Sequence, residues 1–326
     1  MKSASLKLVI LMPVYNDWDA AGALLEQIDS TLAGHNVHPH ILLIDDGSAT
    51  PVPDNLARKP LPLISAIDVL RLRRNMGHQR AIAIGLTHIF QKVPCDAVVV
   101  MDADGEDRPE DVPRLMDEFH SSGGEKIIFA QRTKRLDTLF FRICYRCYQI
   151  LHRALTGLGV KVGNFSIIPF RCLSALVVSP ELWNHYAAAV IKLSLPVGLL
   201  AAPRGVRLFG KSEMNFISLF IHGMSAISVF GDIVSTRIVV VASGLSALLI
   251  GVMAAVVVIR LFTDLAVPGW ATYTSGLLLI LFVLILSTTL NFLLSVLGSR
   301  HMASFIPLRD CSLFVHDIKR AYPADE

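Results

Sequence analysis

The stretch AVVVMDADGED, residues 97–107, is an apolar, β-branched run that stops abruptly on Asp102, Ala103 and Asp104, with Glu106 close behind. A short apolar run bounded by a turn reads as a buried parallel strand, and in open α/β sheets ligands sit beyond the carboxyl ends of such strands. These carboxylates therefore stand at the working edge of a sheet. Asp102 and Asp104 have one small residue between them, a spacing that lets both reach one hard cation if the chain turns there. Mg²⁺ or Mn²⁺ carrying a diphosphate is the natural guest. Asp107 and Glu110 have instead the D-x-x-E spacing of a capping box, and Pro109 suits a first helical turn, so that pair reads as the start of a helix.

Strand and helix patterns alternate on both sides of this run. LKLVILMPV (6–14), a helix over about 19–32, HILLIDDGS (40–48), VLRLRRN (69–75), a helix over about 80–91, the helix after Asp107 and KIIFAQR (126–132) follow in order. Such alternation predicts right-handed βαβ units and a mainly parallel sheet. Polar clusters end four of the strands, at 15–17, 45–48, 74–79 and 102–107, and parallel strands bring all four to one edge. LKLVILMPV runs straight into polar residues without a small-residue cleavage site and reads as the first strand, not a signal peptide.

With 53% hydrophobic and 17% charged residues, the chain is more apolar than an ordinary soluble domain. The excess lies near one end. No charge occurs from Ile238 to Ile259 or from Ala271 to Gly298, and each stretch exceeds the ~20 residues that cross a bilayer. Arg237 precedes the first, and Arg300, Arg309, Lys319 and Arg320 follow the second, whereas the connector holds only Asp264 beside Arg260. The positive-inside rule then places the N-terminal part and the tail in the cytoplasm, with Trp270 and Tyr273 at the interface. A net charge of +3 with scattered basic residues is too small to suggest a nucleic-acid partner, and none is expected. The division is 1–214 for the α/β domain, 215–235 for interfacial amphipathic helices, 236–299 for a two-helix membrane domain and 300–326 for a cytoplasmic tail. A helix over 138–156 carries Arg142, Arg146 and Arg153 near one face, open to solvent, phosphate or a membrane surface. Its Cys144 and Cys147 lack a second ligand pair and read as reduced packing residues.

The order of MPVYND (12–17), IDDGS (44–48), LRRNMGHQRA (72–81), MDADGEDRPED (101–111), AQRTKR (130–135), GNFSIIPFR (163–171) and RGVRLFGKSEMN (204–215), followed by two apolar spans, resembles the inverting family 2 glycosyltransferases. Within them it is similar to the polyprenyl-phosphate sugar transferases. The resemblance implies a GT-A nucleotide-diphospho-sugar transferase domain in an α/β fold with two C-terminal transmembrane helices. It implies that Pro13, Tyr15 and Asp17 line base and ribose, that Asp45 binds one of them, and that Asp46 with Gly47 and Ser48 completes that turn. Asp102 and Asp104 match the D-x-D metal motif, Glu106 falls where a third ligand stands, and Asp104 is placed among the catalytic residues. Arg132 matches an arginine facing the donor diphosphate or lipid phosphate, Arg146 lies near a second, and Arg207 and Lys211 fall in the loop that closes over the donor. The usual G-x-S-K-Y is here Gly210–Met214 with Glu213 after the serine, Asn164 replaces an acidic residue, and the Q-x-x-R-W motif of processive synthases is missing.

The implied reaction transfers a sugar from a nucleotide-sugar donor to a polyprenyl phosphate in the lipid bilayer, with Mg²⁺ or Mn²⁺, in cell-envelope glycosylation. The implied setting is the bacterial inner membrane, and the resemblance is compatible with a homo-oligomer. A membrane-tethered enzyme with a non-lipid acceptor and a non-catalytic membrane scaffold are the alternatives.

Overall fold

Strand β1 (Leu8–Val14) is buried along its whole length between two parallel neighbours, β2 (His40–Asp45) and β4 (Ala97–Val100), with β3 (Ala66–Leu72) parallel to β2. The computed structural model describes residues 6–57, 59–132, 139–157, 162–209, 223–263, 269–300 and 304–323, without the side chains of 139–145 and 299–300. The period of two in a strand sends alternate side chains to opposite faces. Leu8, Ile10 and Met12 enter the core that α1 (Trp18–Thr31) and α3 (Asp111–Ser121) cover. Val9 and Leu11 enter the core under α2 (His78–Lys92), α5 (Phe170–Val177) and α6 (Tyr186–Lys192). A strand buried on both faces must be apolar at every position, which is why these segments read as unbroken hydrophobic runs.

Besides β5 (Ile127–Arg132), the sheet contains three strands that periodicity did not announce: β6 (Ser166–Pro169), β7 (Val197–Ala202) and β8 (Val315–Tyr322). Among the described residues it has eight strands in the order β7-β5-β6-β4-β1-β2-β3-β8. β6 runs antiparallel to β4 and β5, and β7 parallel to β5. β8 pairs antiparallel with β3. Residues 315–322, read from sequence as part of a tail, are thus a structural strand of the α/β sheet. Its approach is anchored by Phe305 and Phe314 around Trp183, with ring centroids 3.9 and 5.3 Å from the indole, and by buried Cys311. Cys95, Cys147, Cys172 and Cys311 are free thiols.

By contacts the chain divides into two units: Met1–Gln149, Gly159–Val229 and Phe305–Glu326 form one, Ile150–Leu158 and Phe230–Ser304 the other. The second holds α7 (Gly231–Phe262) and α8 (Trp270–Arg300). Both expected spans lie inside them, although α7 begins at Gly231, within the segment assigned to interfacial helices. Of that segment 223–228 is helical, and 215–222 lies outside the described residues. Only 11% of the most apolar window of α7 is buried, and none of that of α8. A core helix of a water-soluble domain would bury such a face; these apolar surfaces instead suit lipid. In the same unit ends α4 (Leu139–Thr156), where Arg237 Nη1 donates to Ala154 O at 2.7 Å. A cation on the last carbonyls of a helix is favoured by its dipole.

The α2 helix approaches the sheet through Gly85, where a Cβ would collide with Leu11 Cδ1 and come within 3.1 Å of Ile44. Overpacking of a core costs about 1–3 kcal/mol, more than the ~1 kcal/mol that Ala gains over Gly inside a helix. Gly85→Ala is therefore expected to lower the thermal midpoint in detergent, and Leu11→Val in the same chain to restore part of it; an unchanged midpoint would contradict this close seating.

Candidate active site

After β4 the chain turns through residues 101–107, and its own carboxylates build the turn. Asp107 Oδ2 accepts the Asp102 N–H at 2.9 Å, and Asp104 Oδ1 accepts the Glu106 N–H at 2.9 Å. The α3 helix begins only at Asp111, with Glu110 in the N-cap position and no side-chain capping bond. The D-x-x-E spacing is thus not a capping box here. Asp107 closes the carboxylate turn, because the half-buried Asp102 amide needs an acceptor. Burial, with Asp102 beside it, lifts the Asp107 carboxyl to about 7 against the pull of Arg132. Asp104 is also raised, by burial first and by the charges of Asp102 and Glu106, while the Glu106 amide and Arg207 oppose the rise.

Three arginines answer this concentration of negative charge. Arg132, at the end of β5, donates to Glu106 at 3.2 Å and to Asp107 at 3.1 Å. Arg204 donates to Glu106 at 3.1 Å. Arg207 reaches both Asp17 and Asp104, the latter at 3.4 Å. The loop carrying the last two is pinned on the turn by backbone bonds, Gly205 N–H to Glu106 O at 2.8 Å and Leu208 N–H to Asp104 O at 3.0 Å. Asp17 stands at the N-cap of α1 without making a capping bond, since its carboxylate faces Arg207. Among the described residues no three His, Cys, Asp or Glu side chains converge as ion ligands. Of the expected set of Asp102, Asp104 and Glu106, the Glu106 carboxylate is held by two guanidinium groups, those of Arg132 and Arg204.

The ends of β1, β2 and β3 form the neighbouring part of the edge. Asn16 ties the first two together, its N–H on Ser48 Oγ at 2.9 Å and its Oδ1 accepting the Ala49 N–H at 2.8 Å. Asp45 Oδ1 accepts the Ser48 N–H at 2.8 Å, and its Oδ2 lies 3.9 Å from Arg71 Nε. Asp46, expected at the substrate, gives both oxygens to the backbone of the next loop: Met76 N–H at 2.6 Å and Gly77 N–H at 2.9 Å. Gly47 has φ +72°, and a Cβ there would stand 2.5 Å from Asn75 N, so the two loops can touch only at a glycine. Two clefts open along this edge. One of about 180 Å³ is lined by Pro13, Tyr15, Asp46 and His78, and one of about 450 Å³ by Asp45, Ser48, the 71–74 segment and His316.

Asp107, His78 and Arg204 were not among the residues singled out for the site. His78 Nε2 lies 3.1 Å from Asp102 Oδ1. Burial works against the charged imidazole, but Asp102, with Asp107 and Asp104, outweighs it and raises the His78 pKa. The neighbouring Gln79 holds Asn164 Oδ1 at 3.0 Å and accepts the Tyr186 N–H at 2.8 Å, so the start of α2 is fixed. The signal for His78 was its place in a polar cluster at a strand end. Arg146 is exposed on α4, and among the described residues no carboxylate of the site pairs with it. Lys211 lies outside the described residues.

Comparison with known proteins bears on this site. An undecaprenyl-phosphate 4-deoxy-4-formamido-L-arabinose transferase from Klebsiella pneumoniae is 26% identical over 222 residues, 65% of this chain and 64% of that protein. The protein of the same description from Erwinia tasmaniensis is 28% identical over 228 residues, 67% and 66% of the two chains. The chain thus spans just under two thirds of the length of these relatives. Among solved structures, glucosyl-3-phosphoglycerate synthase from Mycobacterium tuberculosis matches with a TM-score of 0.49 and 15% identity, over 71% of this chain and 80% of that one. Mannosyl-3-phosphoglycerate synthase from Rubrobacter xylanophilus matches with a TM-score of 0.47 and 14% identity, over 70% and 73%. The model of glycosyl transferase family 2 matches residues 9–172, which takes in β1 from its second residue, β2 to β6 and the whole carboxylate turn. The chain belongs to glycosyl transferase family 2.

Proposed function

We propose that this protein transfers a sugar from a nucleotide-diphosphate donor to a membrane polyprenyl phosphate, with inversion at the anomeric carbon. The observation that carries the reading is the meeting of Asp102 and Asp104 with Arg132, Arg204 and Arg207 at one sheet edge, in a chain that also has two exposed apolar helices. The relatives named above support the lipid-phosphate acceptor.

Asp102 and Asp104 fit a divalent cation: two hard oxygen donors, close enough that the charge of Asp102 raises the cost of ionising Asp104, leave further coordination positions to phosphate oxygens. Mg²⁺ or Mn²⁺ held there would neutralise charge developing on the leaving nucleoside diphosphate. The chain's own groups do the rest. Arg207 exchanges the carboxylates of Asp17 and Asp104 for the donor diphosphate, and Arg132 holds a phosphate oxygen in line with the anomeric carbon. A bond forms from acceptor phosphate oxygen to that carbon as its bond to the diphosphate oxygen breaks. The acceptor has a second pKa of about 6, so its oxygen is anionic at neutral pH and needs little help from a base.

Membrane attachment follows from the acceptor, since each CH₂ of a polyprenyl chain costs ~0.8 kcal/mol to expose to water. The proposed topology is two crossings, with the α/β unit and the C-terminus on the cytoplasmic side. The even number of crossings is supported by chain order together with strand pairing: β3 precedes the apolar helices, β8 follows them, and the two pair in one sheet. A single crossing would leave them on opposite sides.

In detergent with polyprenyl phosphate, divalent metal and labelled nucleotide sugars, label is expected to enter the organic phase with one donor. Asp104→Asn is expected to lower turnover roughly 100-fold with little change in thermal midpoint, since Oδ1 can still accept the Glu106 amide; loss of stability with retained activity would mark a structural carboxylate. Label left in water with every lipid acceptor would point to the non-lipid reading. The anomeric coupling in the product is expected to show inverted configuration, and retention would rule out single displacement.

A further inference from the structure

The cleft of about 450 Å³ has a wall that the family match does not reach. Asp45 and Ser48 come from the turn after β2, Arg71, Arg73 and Arg74 from the end of β3, and His316 from β8, more than 140 residues beyond the matched region and past both apolar helices. In the β3–β8 ladder, Leu72 pairs with Val315 and Arg71 with Asp317, so His316 is the additional residue of a bulge. A β-bulge re-aims the side chain it carries, and such bulges gather at sheet edges beside functional sites. His316 is exposed and lines the cleft, while the backbone around it is held: Arg73 N–H donates to Phe314 O at 2.9 Å, and Arg71 Nη1 to Asp317 at 3.3 Å.

The position along the sheet decides what this wall would meet. The carboxylates and arginines at the end of β4 meet the diphosphate and sugar on the reading given above, on which this inference rests. From β4 through β1 and β2 to β3 is three strand spacings, roughly 14 Å, so a donor laid along the edge carries its nucleoside into the β2–β3–β8 cleft. We propose that His316 is a specificity-determining residue of the donor nucleoside, supplied to the site by the strand that returns after the membrane helices. Its flat ring can stack on a base, and its ring nitrogen can hydrogen-bond to a base edge. Asp317 is a positioning residue that acts through Arg71 on Asp45.

The test is equilibrium binding of UDP, GDP and inorganic pyrophosphate to the full chain in detergent with Mg²⁺. The wild type is expected to prefer one nucleotide. His316→Ala is expected to weaken that nucleotide about tenfold and narrow the preference, with pyrophosphate affinity and thermal midpoint unchanged. Asp317→Asn should give a smaller loss in the same direction. Lys319→Ala, on β8 but outside the cleft, should change nothing; if it matches His316→Ala, the effect comes from loosening the strand and the assignment falls. Equal nucleotide binding by wild type and His316→Ala, or an equal loss for pyrophosphate, overturns the role of His316 and leaves the transfer reaction standing. A wild-type chain that binds neither nucleotide overturns both.

Discussion

Repulsion among the carboxylates at the end of β4 is the constraint around which the rest of the site is arranged. Two like charges 4 Å apart repel by about 4 kcal/mol at an effective dielectric of 20, and here Asp102, Asp104, Glu106 and Asp107 share one short turn. The fold offsets this from three directions. Arg132 arrives on β5, Arg204 and Arg207 on the loop after β7, and His78 at the start of α2. These elements are far apart in sequence, so the turn is stable only when the sheet is complete. The same arginines are the groups that a diphosphate would engage, and stability and binding therefore draw on one set of contacts.

Much of this was legible in the sequence because burial on both faces leaves a strong mark. β1 to β5 appear as apolar runs with polar ends, and α1 and α2 within two residues of their observed starts. The remaining strands left a weaker mark for identifiable reasons. β6 is four residues ending in a proline, β7 is an edge strand with every other residue exposed up to its buried end, and β8 is an edge strand whose polar residues resemble a tail. Its partner lies about 250 residues away, and no local pattern encodes a pairing across that distance.

At the site, spacing singles out Asp102 and Asp104 and the family resemblance singles out Arg132 and Arg207, yet neither assigns partners. Asp107 has the spacing of a helix cap and performs a different task, since the helix starts four residues later. Asp46 matches a binding motif and is turned inward to hold the 76–77 amides. His78 and Arg204 become visible only when parallel strands bring their loops to the same edge. Residue type and spacing thus identify the chemistry available, and topology decides which group faces which.

The pairing of β3 with β8 also orders the protein's biosynthesis. Residues 315–322 leave the ribosome after both apolar helices, so the outer edge of β3 stays open while those helices are made. An open strand edge is a template for pairing with other chains. Nascent chains are therefore exposed to aggregation during that interval, and a chain arrested in the membrane segment would carry the family 2 motifs on a sheet whose β3 lacks its partner strand.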